Sequence, residues 1–310
     1  MRVIKQKGYS VMPRLFGTDG IRGKANEYPI TPEIALKVGK AVAQIYANKN
    51  GIAKAVIGKD TRVSGYMLET ALTSGMLSMG MDVLEIGPLP TPAVAHLVRS
   101  MGADCGIMIT ASHNPSDDNG IKIFSADGFK LPDEVEDEIE KIIRGETPEI
   151  KPSRIGKAYR IDDARGRYIE FAKSSIQNRS LKGTKAVLDC ANGAAYYIAP
   201  LILKELGVEV IAISTTPNGT NINENCGSTH LERLSRAVRE GGFQLGLAFD
   251  GDADRCLAVD ENGCEIDGDQ IMAVCAEYLT AQGKLQSDGF VATVMSNLGL
   301  HKFCEQQHLK

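Results

Sequence analysis

Three aspartates on alternate positions, Asp250, Asp252 and Asp254, directly follow the apolar run 245–249. Side chains at positions i, i+2 and i+4 of an extended segment point to the same side. Three carboxylates so close together repel one another unless a cation binds them, and oxygen-only ligation is typical of Mg²⁺ or Mn²⁺ rather than zinc. The pattern predicts a site for a hard divalent cation, with a solvated acidic turn as the alternative. We therefore expect that neutralising one aspartate leaves the stability of the metal-free chain unchanged or raises it.

A second polar loop, 110–115, follows the apolar run 106–109 and carries Ser112 and His113. Ligands of α/β sheets bind outside strand ends, so the Ser112 hydroxyl is placed where it could hold a phosphoryl group. The plainer alternatives are a turn or capping role for the serine and a structural role for the histidine. Taken with the acidic loop, the serine predicts metal-assisted phosphoryl transfer.

Further candidate residues lie in three other polar segments. The glycine-rich stretch 16–23 carries Arg22 and suits an anion, although it lacks the ending of a P-loop. Arg62 follows the apolar run 55–57, which is another predicted strand end. Lys122 could transfer protons if a cleft lowers its pKa. The alternative for the Arg22 segment is an ordinary surface loop, and the alternative for Lys122 is a solvated lysine.

Short apolar strands alternate with amphipathic helices along the chain, which is typical of α/β domains. A first unit has predicted strands at 55–57, 83–86, 105–109 and 121–124, with helices at 64–79, 91–100 and 133–143. A second has strands at 186–188, 208–213 and 246–249, with helices at 194–206 and 231–240. The parallel between the units predicts two copies of one module, each donating a loop to a shared cleft. A third unit begins with a helix at 270–281, a strand at 290–294 and a helix at 299–308.

Composition narrows the choice of partners and compartment. The 310 residues carry a net charge of −4 and only 5% aromatic residues, which disfavours nucleic acid as a partner. The sequence has no run of about 18 apolar residues to suggest a membrane span, and its N-terminus lacks the apolar segment of a signal peptide. Seven cysteines, an odd number without a CxxC pair, favour reduced thiols and hence a cytoplasmic protein.

Four motifs in fixed order resemble those of the α-D-phosphohexomutase family. They are FGTDGIRG at 16–23, GKDTR at 58–62, TASHNP at 110–115 with NGIK at 119–122, and DGDADR at 250–255. The segments 217–230 and 294–300 resemble the phosphoglucosamine mutase branch of that family. The resemblance implies an α/β fold of tandem α/β/α domains with mixed sheets. From the resemblance, two domains are expected to be complete at 1–165 and 166–265, a third to be incomplete at 266–310, and the fourth to be absent.

The resemblance also implies roles for the candidate residues. Ser112 would be phosphorylated, and one Mg²⁺ per chain would be held by the serine phosphate and the three aspartates. The residues expected to act in catalysis, with Ser112, are Arg22, Lys122 and His113. Those expected to bind substrate are Arg255 and Arg62.

The implied reaction interconverts glucosamine 6-phosphate and glucosamine 1-phosphate, through a bisphosphate intermediate, for synthesis of cell-envelope precursors. A hexosamine or hexose 1,6-bisphosphate would serve as activator. The alternatives are a phosphoglucomutase or phosphomannomutase, or a fragment that binds metal and phosphate without catalysis. Because the resemblance ends within the third domain, we expect little turnover by this chain. The expected partner is a small-molecule sugar phosphate, with neither nucleic acid nor membrane, and a homodimer is left open.

Overall fold

The computed structural model describes residues 14–47, 51–177, 179–285 and 289–309. The segment before Arg14, where the sequence predicts no signal peptide, lies outside the described residues. Within the described ranges, no helix is both long and apolar enough to cross a membrane.

The first unit is a three-layer arrangement around a mixed sheet. Its strands are β1 (Ile21–Lys24), β2 (Lys54–Lys59), β3 (Asp82–Pro88), β4 (Cys105–Ile109), β5 (Asp118–Ser125) and β6 (Ala158–Arg160). Its helices are α1 (Pro32–Tyr46), α2 (Ser64–Ser78), α3 (Thr91–Ser100), α4 (Asp133–Ile143) and α5 (Ala164–Ser174). The strand order is β1-β5-β4-β2-β3-β6, in which β5 runs antiparallel to both β1 and β4 and the other pairs are parallel.

Both faces of this sheet are covered, and this explains the continuous apolar runs of its central strands. On β2, Ala55 and Ile57 join the core formed with α1, α2 and α4, whereas Val56 joins the core formed with α3 and α5. The alternation follows from the two-residue period of a strand. The carboxyl ends of β2, β3 and β4 therefore lie on one edge of the sheet, where the polar loops follow.

The second unit repeats the central topology of the first. Its strands are β7 (Lys185–Asp189), β8 (Glu209–Ile213), β9 (Leu245–Phe249), β10 (Cys256–Asp260) and β11 (Glu265–Ile266), with helices α6 (Ile198–Glu205) and α7 (Glu232–Gly241). The strand order β11-β10-β9-β7-β8 matches the first sheet, since β9-β7-β8 is parallel like β4-β2-β3 and the next strand is antiparallel. The predicted duplication is confirmed, and the loops after β4 and β9 occupy equivalent positions.

Two predicted elements differ from the structure. The helix predicted at 194–206 begins only at Ile198, because the preceding segment turns to pack against the acidic loop, where Ala194 N donates to Gly251 O at 2.8 Å. The strand predicted at 290–294 is not formed. Its side chains at Val291 and Val294 are almost fully exposed, and a strand is stable only when a neighbouring strand accepts its hydrogen bonds.

The third unit contributes two helices in the described ranges, α8 (Gly268–Ala281) and α9 (Leu298–Gln306). A capping box begins α8, in which Asp267 accepts from the backbone of Gln270 and the Gln270 side chain bonds back to Asp267. The predicted helices at 270–281 and 299–308 are confirmed, with each end within two residues of the prediction.

Candidate active site

The loop after β4 holds Ser112 in a constrained conformation. Ser112 has a φ of 54°, in the left-handed region that non-glycine residues seldom adopt. Its backbone N–H donates to Thr110 Oγ1 at 2.8 Å, and that hydroxyl donates to Asp60 Oδ2 at 2.7 Å. Strained backbone of this kind persists only where the surrounding contacts enforce it, and it is common in functional loops. The serine is 3% exposed, so its surroundings are fixed by the protein.

Arg62 supports this loop from below and does not face the cleft. Its side chain is completely buried and pairs with Asp60 at 2.9 Å. The two terminal nitrogens donate to loop carbonyls, at 3.0 Å for Ser112, 2.8 Å for Asn114 and 3.1 Å for Asp118. The donors of Arg62 are thus used by Asp60 and by the backbone of the serine loop, and a contact of Arg62 with substrate stays a prediction.

The loop after β9 brings the three aspartates together by curling. One carboxylate oxygen from each of Asp250, Asp252 and Asp254 lies within 4.8 Å of the others. Ala253 adopts a φ of 53°, so the carboxylates converge in a tight turn and not through the alternation of an extended segment. Gly251 has no room for a side chain, since a Cβ atom would lie 2.5 Å from Ser112 O. The two loops are therefore packed against each other.

Lys122 on β5 lies beside the acidic loop. Its ammonium is 3.0 Å from Asp252 Oδ2, 3.3 Å from Asp254 Oδ2 and 3.4 Å from Asp19 Oδ2. Burial opposes the charged form, but the Asp252 and Asp254 carboxylates outweigh it and raise the pKa of Lys122. The lowered pKa on which a proton-transfer role would depend is not found, and the side chain is an ammonium that can stabilise negative charge.

Asp252 offers a free oxygen for a cation. Its Oδ2 atom accepts from Thr91 Oγ1 at 2.6 Å and from Lys122, whereas its Oδ1 atom is buried without a hydrogen-bond partner among the described residues. Burial disfavours its charge, but Lys122 and Thr91 lower the pKa of Asp252, so the carboxylate is ionised. Burial and the Asp252 charge raise the pKa of Asp254. An unpaired buried oxygen within an all-oxygen donor set fits a hard divalent cation.

Ser112 connects the two loops directly. Its Oγ atom donates to Asp250 Oδ2 at 2.6 Å and accepts from Arg255 Nη2 at 2.7 Å. Arg255 also donates to Asp250 Oδ2 at 2.9 Å and to Nδ1 of His113. Burial and the Arg255 guanidinium lower the pKa of His113, which favours the neutral ring that can accept this bond. The hydroxyl thus lies between a cation and a carboxylate.

The glycine-rich segment reaches the same site through β1. Arg22 stands opposite Gly120 in the β1–β5 pairing, and its side chain bonds to Asp19, which in turn lies beside Lys122. The Nε atom of Arg22 is buried and lacks a hydrogen-bond partner in the described structure. A free guanidinium donor next to the serine loop suits a phosphate oxygen.

The structure also adds residues that sequence reasoning did not single out. Asp60, Thr110 and Thr91 position the two loops, and Asn223 reaches the serine loop from the second unit. Asp60 lies within the GKDTR motif at 58–62, whereas the only sequence signal for Thr91 is that it follows closely after a strand of the first sheet. Asn223 lies in the segment 217–230 that resembles the family, but nothing in the sequence pairs it with a loop 111 residues away.

Tandem α/β/α units with mixed sheets, joined at a serine loop and an acidic loop, are the architecture of α-D-phosphohexomutases. The chain belongs to the phosphoglucomutase/phosphomannomutase family. The family models of α/β/α domains I, II and III match residues 13–149, 166–263 and 267–310.

Individual proteins of the family give the degree of similarity. The chain is 57% identical over 293 residues to a phosphoglucosamine mutase of Geotalea daltonii, covering 93% of this chain and 64% of that protein. It is 56% identical over 300 residues to a phosphoglucosamine mutase of Paracoccus denitrificans, covering 96% of this chain and 67% of that protein. A solved structure of a putative phosphomannomutase from Thermus thermophilus superposes with a TM-score of 0.76 at 27% identity, over 87% of this chain and 62% of the other. The chain thus spans about two thirds of the length of these relatives.

Proposed function

We propose that the protein interconverts glucosamine 6-phosphate and glucosamine 1-phosphate, with Ser112 carrying the phosphoryl group. The observation that carries this proposal is the 2.6 Å hydrogen bond between Ser112 Oγ and Asp250 Oδ2. Among the described residues of the serine loop, Ser112 has the only hydroxyl that contacts the acidic cluster. The hydrogen bond therefore joins this hydroxyl to a set of carboxylates suited to Mg²⁺. The similarity to two phosphoglucosamine mutases supports the choice of an aminosugar phosphate.

The proposed chemistry exchanges a proton for a phosphoryl group on Ser112. In the phosphorylated protein, the bond from Oγ to phosphorus breaks while phosphorus bonds to a substrate hydroxyl oxygen. The proton of that hydroxyl ends on Oγ, which gives the protonated serine seen here as donor to Asp250. The resulting sugar bisphosphate then returns its other phosphoryl group to Ser112 by the reverse exchange.

The residues of the chain have distinct roles in this proposal. Bound to Asp250, Asp252, Asp254 and the serine phosphate, Mg²⁺ would supply a positive charge that stabilises the transferring group. Arg255 and Lys122 supply positive charges on either side of the carboxylates. Arg255 Nη2 lies 2.7 Å from Ser112 Oγ, and Lys122 Nζ lies 3.0 Å from Asp252 Oδ2. Arg22 offers its free Nε–H to a phosphate oxygen. His113 holds Arg255 in place through Nδ1.

The proposal is tested by labelling the 310-residue chain with glucosamine 1,6-bisphosphate or glucose 1,6-bisphosphate and Mg²⁺. Mass spectrometry should show one phosphoryl group, mapped to Ser112 by peptide analysis. Ser112→Ala should not be labelled, whereas Ser116→Ala, which removes another hydroxyl from the same loop, should be labelled normally. Labelling at a different residue would show that Ser112 is not the carrier.

Substrate choice needs a separate measurement. Turnover on a panel of glucosamine, glucose and mannose phosphates should be fastest with glucosamine 6-phosphate. Preference for glucose or mannose phosphates would instead assign a phosphoglucomutase or phosphomannomutase activity. Binding of both Mg²⁺ and inorganic phosphate, without labelling or turnover, would identify a chain that binds metal and phosphate without catalysis.

A further inference from the structure

We propose that Asn223 is a positioning residue that fixes the Ser112 loop from the second unit. This inference rests on the proposed role of Ser112 as the phosphoryl carrier. Asn223 lies 9% exposed in the segment between β8 and α7, and its backbone N–H donates to Ala191 O at 2.9 Å. Its side chain extends from there across the boundary between the two units.

The contact is made with the backbone of the serine loop. Asn223 Nδ2 donates to Ser112 O at 2.9 Å and to Asn114 O at 3.0 Å. Since both neighbours are carbonyl oxygens, only the amide nitrogen with its two hydrogens can bond to both, and this fixes the orientation of the side chain. The amide therefore bridges the residue that carries the reacting hydroxyl and the residue two positions further on.

The same two carbonyls are bound from the other side by Arg62. Arg62 Nη2 donates to Ser112 O at 3.0 Å and to Asn114 O at 2.8 Å. Each carbonyl oxygen has two lone pairs, so each accepts one bond from the first unit and one from the second. Arg62 can hold the loop relative to its own sheet, but only a group from the second unit can hold it relative to the acidic loop.

Asn223 also lies beside the acidic loop. A side chain on Gly251, the residue between Asp250 and Asp252, would lie 2.9 Å from Asn223 Nδ2 and 2.5 Å from Ser112 O. The serine loop, the Asn223 amide and the acidic loop are therefore in mutual contact. Because Ser112 has a left-handed φ of 54°, its hydroxyl direction depends on such contacts, and a displacement of about 1 Å can slow a reaction by about a hundredfold.

The test uses variants that separate the amide from backbone effects. Asn223 itself has a φ of 59°, so Asn223→Gly removes the side chain without backbone strain. Asn223→Asp keeps the shape but replaces the donor by an acceptor that faces two carbonyls. Asn225→Gly is the matched control, because Asn225 lies in the same segment with a φ of 50° and is exposed.

The readouts are the rate of Ser112 labelling by a sugar bisphosphate, its concentration dependence, Mg²⁺ affinity by calorimetry, and thermal stability. Asn223→Gly and Asn223→Asp should label at least about tenfold more slowly at saturating bisphosphate, with the half-saturating concentration and Mg²⁺ affinity within about twofold of wild type. Asn225→Gly should label at the wild-type rate.

Four results would overturn the inference. Wild-type labelling rates in both Asn223 variants would show that the amide does not position the serine, while leaving the proposed function intact. An equal loss of labelling rate in Asn225→Gly, or a parallel loss of Mg²⁺ affinity in the Asn223 variants, would indicate general loosening of the segment. Absence of labelling in the wild-type chain would remove the proposed function and this inference with it.

Discussion

Replacement of Asp252 by asparagine is expected to weaken metal binding and also to destabilise the metal-free chain. From the sequence alone, removal of one of three like charges relieves repulsion. In the structure, however, the Asp252 carboxylate compensates the buried ammonium of Lys122 at 3.0 Å and accepts from the Thr91 hydroxyl at 2.6 Å. The sequence alone predicted that the metal-free Asp252→Asn chain would be as stable as the wild type or more stable. From the structure we expect it to be less stable.

The size of both effects follows from the contacts. Hydrogen bonds to charged groups contribute about 1.5–3 kcal/mol each, but an asparagine oxygen still accepts, and Lys122 retains Asp254 at 3.3 Å and Asp19 at 3.4 Å. We expect the free energy of unfolding of the metal-free chain to fall by about 1–3 kcal/mol. Since even indirect partners of a metal site alter affinity by about 10–100-fold, loss of a direct ligand should weaken Mg²⁺ binding by at least about 100-fold.

Two measurements check this prediction. Calorimetric titration gives the Mg²⁺ affinity, and urea unfolding in a chelator, followed by circular dichroism, gives the stability. Asp162→Asn is the matched control, because the Asp162 side chain is 91% exposed. Unchanged Mg²⁺ affinity in Asp252→Asn would refute the metal assignment. A more stable metal-free variant would refute the argument that Lys122 depends on Asp252.

Two further predictions concern packing and pH. Gly251→Ala should lower the free energy of unfolding by about 1–3 kcal/mol and slow Ser112 labelling, because the added Cβ would lie 2.5 Å from Ser112 O. Urea unfolding measures the loss of stability. Gly268→Ala is the control, because nothing lies within 4 Å of a Cβ at that position. His96 stacks on Phe171 with ring centroids 3.8 Å apart, and burial lowers the pKa of His96, so protonation favours the unfolded chain. The free energy of unfolding should therefore fall more in wild type than in His96→Gln as pH is lowered below about 6.5, and an equal pH dependence of both proteins would contradict this.

Local patterns were sufficient to predict the framework of the site. The apolar runs before Ser112 and Asp250 form the buried strands β4 and β9, because strands covered on both faces must be apolar throughout. Short polar loops must follow such strands, so the position of both loops could be predicted. The shared topology puts Ser112 and Asp250 at equivalent positions in their sheets, and the packing of one unit against the other brings their side chains together.

Contacts between distant residues could not be predicted in the same way. Arg62 has the same sequence pattern whether its guanidinium faces a cleft or lies beneath a loop, and only the structure shows that it donates to the carbonyl oxygens of Ser112, Asn114 and Asp118. Thr91 is 161 residues from its partner Asp252. The prediction of a strand at 290–294 was wrong because the local pattern was right but the partner was missing. Its residues favour β structure, yet the described structure has no neighbouring strand for them to pair with.

The double support of the serine loop has a consequence for the growing polypeptide. Arg62 is 50 residues before Ser112, whereas Asn223 and Asp250 follow it by 111 and 138 residues. At a synthesis rate of about 5–20 residues per second, Ser112 leaves the ribosome roughly 7–28 s before Asp250 does. Until Asn223 has been made, only groups of the first unit, such as Arg62 and Thr110, can hold the loop in place. A change at Arg62 therefore affects the nascent chain, whereas a change at Asn223 acts only once the second unit has been made.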